Sequence, residues 1–69
     1  MYKWKIEIIL KSGKEVTVYY QGNETNSEAV GKKVLIGQEK DMICFNNVDN
    51  TKQIAIKLGE IASAAISIA

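Results

Sequence analysis

Three amino acids are missing from this chain of 69 residues, which has no histidine, no arginine and no proline. Without histidine, it lacks the side chain that most often acts as a general base and binds transition metals. Without arginine, it lacks the planar group that clamps phosphates through two parallel hydrogen bonds. The composition therefore predicts a protein that is not an enzyme, with no catalytic residue, no metal site and no cofactor.

Cysteine is nearly absent as well, since Cys44 is the only one. A single cysteine cannot form a disulfide within the chain, whereas secreted domains of this size usually depend on several. The first residues mix charged and apolar side chains, unlike the apolar stretch of a signal peptide. We therefore expect a cytoplasmic protein. Cys44 itself lies in an apolar run, which predicts an inert core residue.

The length predicts one domain, residues 1–69, and the hydrophobic content of 46% is sufficient for a globular core. A core this small leaves a net stability of roughly 3–5 kcal/mol. Burial of further apolar area between copies would add to it, so we expect a homo-oligomer. The net charge of +1 does not predict the basic surface of a typical nucleic-acid-binding protein. The apolar runs are far shorter than the roughly 20 residues that span a bilayer, so no membrane partner is expected.

Two strands joined by a tight turn are predicted for the first 20 residues. Apolar and charged side chains alternate in residues 2–10, which is the period of a strand with one buried face. A second strand is predicted at residues 15–20. Between them, Lys11-Ser12-Gly13-Lys14 contains the glycine that such a turn favours. The sequence therefore predicts a hairpin of residues 2–10 and 14–20.

A short helix is predicted after the hairpin. Thr25 and Glu28 have the spacing of a capping box, in which each side chain accepts a hydrogen bond from the other's backbone amide. Ser27 is the alternative N-cap. The helix is expected to run to about Val34 or Leu35, although residues 34–36 suit a strand as well as a helix.

Three further strands complete the predicted fold. They lie at residues 42–45 (a central strand), 53–58 and 62–68, with a loop at residues 46–52 and one helical turn at residues 59–61. The order β-β-α-β-β-β predicts an α+β fold, a curled antiparallel sheet of about five strands with the helix across one face or one end. A small SH3-like or Sm-like barrel is the alternative arrangement of these strands.

Lysines and aromatic side chains are concentrated on the first two strands. The candidate interaction surface consists of Lys3, Trp4, Lys5, Ile9, Tyr19 and Tyr20. Because successive strand residues point to opposite faces, Tyr19 and Tyr20 cannot both enter the core, and Ile9 faces away from Ile6. The outward apolar groups predict a patch for a protein partner or for a second copy of the chain.

The same residues allow a different function, since aromatic side chains beside lysines bind single-stranded nucleic acid by stacking. Against this, Trp4 shares its face with Ile6 and Ile8, which favours a place in the core. A small-molecule or nucleotide binder with its pocket between subunits is a third alternative, and it would hold phosphate through lysines, backbone amides or helix N-termini.

Two segments resemble small, uncharacterised, β-rich proteins encoded by phages and prophages of Gram-positive bacteria. They are Ile6-Glu7-Ile8-Ile9-Leu10-Lys11-Ser12-Gly13-Lys14-Glu15-Val16 and Ile54-Ala55-Ile56-Lys57-Leu58-Gly59-Glu60-Ile61-Ala62-Ser63. The resemblance implies a mobile-element accessory protein in a bacterial cytoplasm, a class that includes inhibitors of host or defence enzymes. It implies no catalytic residue. Taken with the composition, it predicts a non-enzymatic protein-interaction module.

Overall fold

The computed structural model describes residues 1–46 and 51–69 and folds them into strands, one α-helix and one 3₁₀ turn. In chain order these are β1 (Tyr2–Leu10), β2 (Glu15–Gly22), α1 (Ser27–Val34), β3 (Met42–Asn46), β4 (Gln53–Lys57), the 3₁₀ turn (Leu58–Glu60) and β5 (Ile61–Ile68). This order confirms the predicted α+β description. The predicted loop at residues 46–52 begins one residue too early, because Asn46 ends β3, and its residues 47–50 lie outside the described residues.

The strands form one antiparallel sheet in the order β4-β3-β2-β1-β5. β1 pairs along its length with both β2 and β5. Between β2 and β3, the register pair within the described residues is Tyr19 opposite Asn46. In the described part of the chain β4 and β5 remain separate edges. The alternative of a closed SH3-like or Sm-like barrel is therefore wrong, because closure requires the outermost strands to pair.

The β1–β2 hairpin turns where the sequence predicts. The Leu10 amide donates to the Lys14 carbonyl at 2.9 Å, and the Gly13 amide donates to the Leu10 carbonyl at 2.8 Å. Gly13 has a φ of 90°, a left-handed conformation that glycine adopts without a steric penalty. β2 then continues to Gly22, beyond the predicted end at residue 20, so it offers a longer surface than expected.

The core lies between the sheet and α1. Its buried side chains are Trp4, Ile6, Ile8, Val18, Val30, Phe45 and Ile56. Trp4, Ile6 and Ile8 of β1 enter this cluster, as the alternation predicts, and Leu10 packs against it. Tyr2 has the same spacing but is 50% exposed, because it lies at the end of the strand. Val30 is the buried residue that α1 contributes. Burial of one such side chain stabilises the fold by roughly 1.5–3 kcal/mol, so few positions hold most of the stability.

The N-cap of helix α1 is neither of the two predicted residues. The side chain of Asn26 accepts a hydrogen bond from the Ala29 amide at 2.8 Å and caps the helix. Neither Thr25 nor Ser27 has this role, because Asn26 is the residue with the extended backbone just before the first helical turn. At the other end the Leu35 amide donates to the Gly31 carbonyl, so α1 ends at Val34 with Leu35 as its C-cap. Residues 34–36 do not form a strand.

Replacement of the cap tests this correction. We expect Asn26→Ala to lower the free energy of unfolding by about 1 kcal/mol, because the first turn loses the acceptor for one of its free amides. Thr25→Ala, one residue away and also exposed, should change it by less than about 0.5 kcal/mol. Urea unfolding monitored by circular dichroism measures both. A larger loss for Thr25→Ala would restore the capping box.

Of residues 1–46 and 51–69, no helical segment has both the length and the apolar character needed to cross a bilayer.

Candidate interaction surface

The sheet has two unlike faces, and α1 packs against only one of them. On the other face, called the open face from here on, the described part of the chain places no helix or strand. Its residues are Lys3, Lys5, Glu7 and Ile9 of β1, Glu15, Thr17, Tyr19 and Gln21 of β2, Met42 and Cys44 of β3, Gln53, Ala55 and Lys57 of β4, and Ser63, Ala65 and Ser67 of β5. A single-layered sheet of this kind leaves apolar side chains in contact with solvent, among them Met42 at 56% exposure.

The six predicted surface residues are divided between the two faces. Four of them, Lys3, Lys5, Ile9 and Tyr19, lie together on the open face. The other two face the core, where Trp4 is buried and Tyr20 is half-buried against the same cluster. Trp4 is only 3% exposed and shares its face of β1 with the buried Ile6 and Ile8. It is therefore removed from the candidate surface.

One end of the open face combines positive charge with an aromatic ring. The Lys3 Nζ lies 4.9 Å from the centre of the Tyr19 ring, within the range of a cation–π contact. Lys5 is directly opposite Tyr19 across the β1–β2 ladder. The Lys3 ammonium group therefore lies over the ring, and Lys5 shares the same face of the sheet.

The other end of the open face is acidic. Glu7 and Glu15 border a shallow depression of 240 Å³, whose floor and rim also include Ile9, Thr17 and Ser63. This volume is below the range of about 300–1,000 Å³ that is usual for small-molecule sites. Two carboxylates also repel phosphate, so the depression does not suit a nucleotide.

Cys44 is exposed, which overturns the prediction of a core cysteine. In β3 the flanking residues Ile43 and Phe45 face the core, so alternation directs Cys44 to the open face. The apolar run suggested burial on both faces, but only one face of this sheet is covered. Within residues 1–46 and 51–69, no group of three or more potential metal-binding side chains comes together.

A polar cluster that the sequence analysis missed lies on the core side of β2. The Tyr20 hydroxyl donates to Glu24 Oε1 at 2.8 Å, and Lys33 Nζ lies 3.4 Å from the same oxygen. The Glu24 side chain is only 11% exposed. A Cβ on Gly22 would collide with the Glu24 carboxylate and the Tyr20 hydroxyl, so Tyr-x-Gly-x-Glu is the sequence signal for this arrangement.

This cluster shifts the protonation of its members. The hydrogen bond from Tyr20 is the main reason that the pKa of the Glu24 carboxyl is lowered, and the neighbouring Lys33 charge lowers it further. The same hydrogen bond raises the pKa of the Tyr20 hydroxyl. Because Glu24 contacts Tyr20 of β2 and Lys33 of α1, the cluster ties the 22–26 segment and α1 to the sheet and so stabilises the fold.

Comparison with known proteins gives no relative for this arrangement. No protein-family model, no curated protein and no solved structure matches the chain.

Proposed function

We propose that this chain is a non-enzymatic protein-interaction module that self-associates and binds a protein partner on its open face. One observation supports the proposal above others. A five-stranded sheet leaves one entire face without a covering layer in the described residues, and that face carries apolar side chains between a basic end and an acidic end. A surface with a defined charge pattern around apolar groups suits a protein partner of complementary pattern.

The partner's chemistry follows from the two ends of the face. Acidic side chains of the partner would approach Lys3 and Lys5, and basic ones would approach Glu7 and Glu15. Apolar side chains would cover Ile9, which is 40% exposed. The resemblance to phage proteins suggests the biological setting, an accessory protein that inhibits a host or defence enzyme in a bacterial cytoplasm.

Single-stranded nucleic acid is the weaker alternative. Stacking needs exposed rings, but Trp4 is buried, the Tyr20 hydroxyl is bonded to Glu24 and Lys3 covers Tyr19. The two carboxylates on the same face also repel a phosphate backbone. A nucleotide held between subunits meets the same electrostatic difficulty.

Charge reversal on the open face tests the proposal. In a pull-down from bacterial lysate, we expect the double variant Lys3→Glu/Lys5→Glu to retain its partner at least about tenfold less than the unchanged protein, since each acidic contact becomes repulsive. The matched control is Lys11→Glu/Lys14→Glu, which makes the same charge change at exposed positions of the hairpin turn.

The control variant should retain the partner as well as the unchanged protein does. Circular dichroism of both variants would confirm that they are folded. Equal retention by the two variants, or no protein retained above background, would exclude the open face as the binding surface.

A further inference from the structure

The edge strand β5 has the features of a strand that pairs with another chain. Its eight residues, Ile61–Ile68, have the sequence IASAAISI, with no charged side chain. Its neighbour on one side is β1, and in the described residues nothing pairs with its other side. Long, uncharged edge strands of this kind readily accept a further strand.

The hydrogen-bonding pattern identifies which backbone groups of β5 are unpaired. The Ala69 amide donates to the Lys3 carbonyl at 3.0 Å. Bonded and non-bonded pairs alternate in an antiparallel ladder, so Ser67, Ala65 and Ser63 also bond to β1. The amide and carbonyl groups of Ala64, Ile66 and Ile68 therefore point to the free edge.

The opposite edge of the sheet is different. β4 has only five residues, ends in Lys57 and begins with the polar Gln53. Short length and lysine are the devices by which proteins prevent edge strands from pairing. β5 has neither device, and Ile68 at its end is 62% exposed. The contrast favours β5, and not β4, as the edge strand that pairs with a strand of another chain.

We propose that β5 pairs antiparallel with β5 of a second copy, about a two-fold axis that passes beside Ala65. This register places Ala64 opposite Ile66 of the second copy and Ser63 opposite Ser67 of the second copy. Residues with free backbone groups then meet each other, and core-facing side chains meet core-facing ones. A shift by one residue would lose both matches.

A second copy fits this edge better than a charged peptide does. The pairing brings no like charges together, since β5 has no charged residue. The unpaired backbone amides and carbonyls of each copy form hydrogen bonds with those of the other. The two sheets join into one, with both open faces on the same side of the dimer. The inference rests on the proposed self-association but is independent of the open-face partner.

Solution mass tests the pairing with matched variants. We expect the unchanged protein to have twice the 7.6 kDa of one chain in light scattering at high concentration. Ala65→Lys should raise the dimer dissociation constant at least about tenfold, because two lysines would face each other across the axis. Within one chain the new lysine lies opposite Glu7, so the variant should fold.

The control for this variant is Ala55→Lys, the same substitution at an exposed open-face position of the other edge strand, β4. It should leave the dimer intact. A monomer at all concentrations, or equal effects of the two substitutions, would overturn the β5 pairing. Neither result affects the open-face proposal, which depends on Lys3 and Lys5.

A disulfide tests the register. In the proposed register, Ala65 lies opposite Ala65 of the second copy as a pair that is not hydrogen-bonded. The Cα atoms of such a pair are about 4.5 Å apart, a distance that a disulfide spans. In a Cys44→Ser background, Ala65→Cys should cross-link into a covalent dimer under mild oxidation. Ala55→Cys in the same background should not. A dimer in which Ala65→Cys fails to cross-link would overturn the proposed axis.

Discussion

Ile6→Ala is expected to remove most of the stability of this protein. Ile6 is fully buried at the centre of the core cluster, and truncation of such a side chain costs about 2–5 kcal/mol. Domains of this size have a net stability of roughly 3–5 kcal/mol, so a large unfolded fraction should be present at room temperature. Urea unfolding measured by circular dichroism, with the fluorescence of the buried Trp4 as a second probe, would show it.

The same substitution at Ile9 provides the control. Ile9 lies on the same strand but on the open face and is 40% exposed. Ile9→Ala should therefore change the free energy of unfolding by less than about 0.5 kcal/mol. Low protein concentration is needed, because self-association would stabilise the folded state. Similar losses at Ile6 and Ile9 would mean that the open face is covered in solution.

Stability is expected to fall at both ends of the pH range because of the Tyr20–Glu24 hydrogen bond. The pKa of Glu24 is lowered in the folded state from its ordinary value of 4.5. The stabilisation is therefore complete above that value and is lost as the pH falls through the folded-state pKa. The pKa of Tyr20 is raised from 10.0, so its stabilisation is complete below pH 10 and is lost as the pH rises further.

Two variants test this common cause. Glu24→Gln should remove the acid dependence that this carboxyl contributes, and Tyr20→Phe should remove the alkaline dependence of the hydroxyl. Each variant should also weaken the other limb, because one hydrogen bond is the main cause of both pKa shifts. Glu28→Gln is the matched control, because Glu28 pairs with Lys32 on the exposed side of α1 with its side chain 78% exposed. Thermal unfolding followed across the pH range measures all three. An acid limb unchanged in Glu24→Gln would contradict the proposed cause.

The strands, the helix and their order along the chain were predicted from the sequence alone. Alternation in β1 predicted its bounds and its buried face, and Gly13 predicted the hairpin turn. These are local properties, since a period of two residues and a glycine with positive φ depend on neighbours along the chain. The core positions Trp4, Ile6 and Ile8 followed from the same alternation.

The choice between neighbouring candidates required the tertiary structure. Asn26, and not Thr25 or Ser27, caps α1. All three residue types suit an N-cap, so the sequence does not distinguish them and the backbone path decides which one has this role. Cys44 is exposed because one face of the sheet is uncovered, which no apolar run reveals. The open sheet excludes a closed barrel for a similar reason, since strand pairing joins residues that are distant in sequence.

The tertiary structure also decided which residues form the proposed interaction surfaces. The sequence alone established that Tyr19 and Tyr20 face opposite ways, but not which one is bound by Glu24. It also established that the segment Ile61–Ile68 is uncharged, whereas the strand order made that segment an edge. Local patterns determine which side chains share a face, and long-range packing determines which face and which edge remain open for a partner.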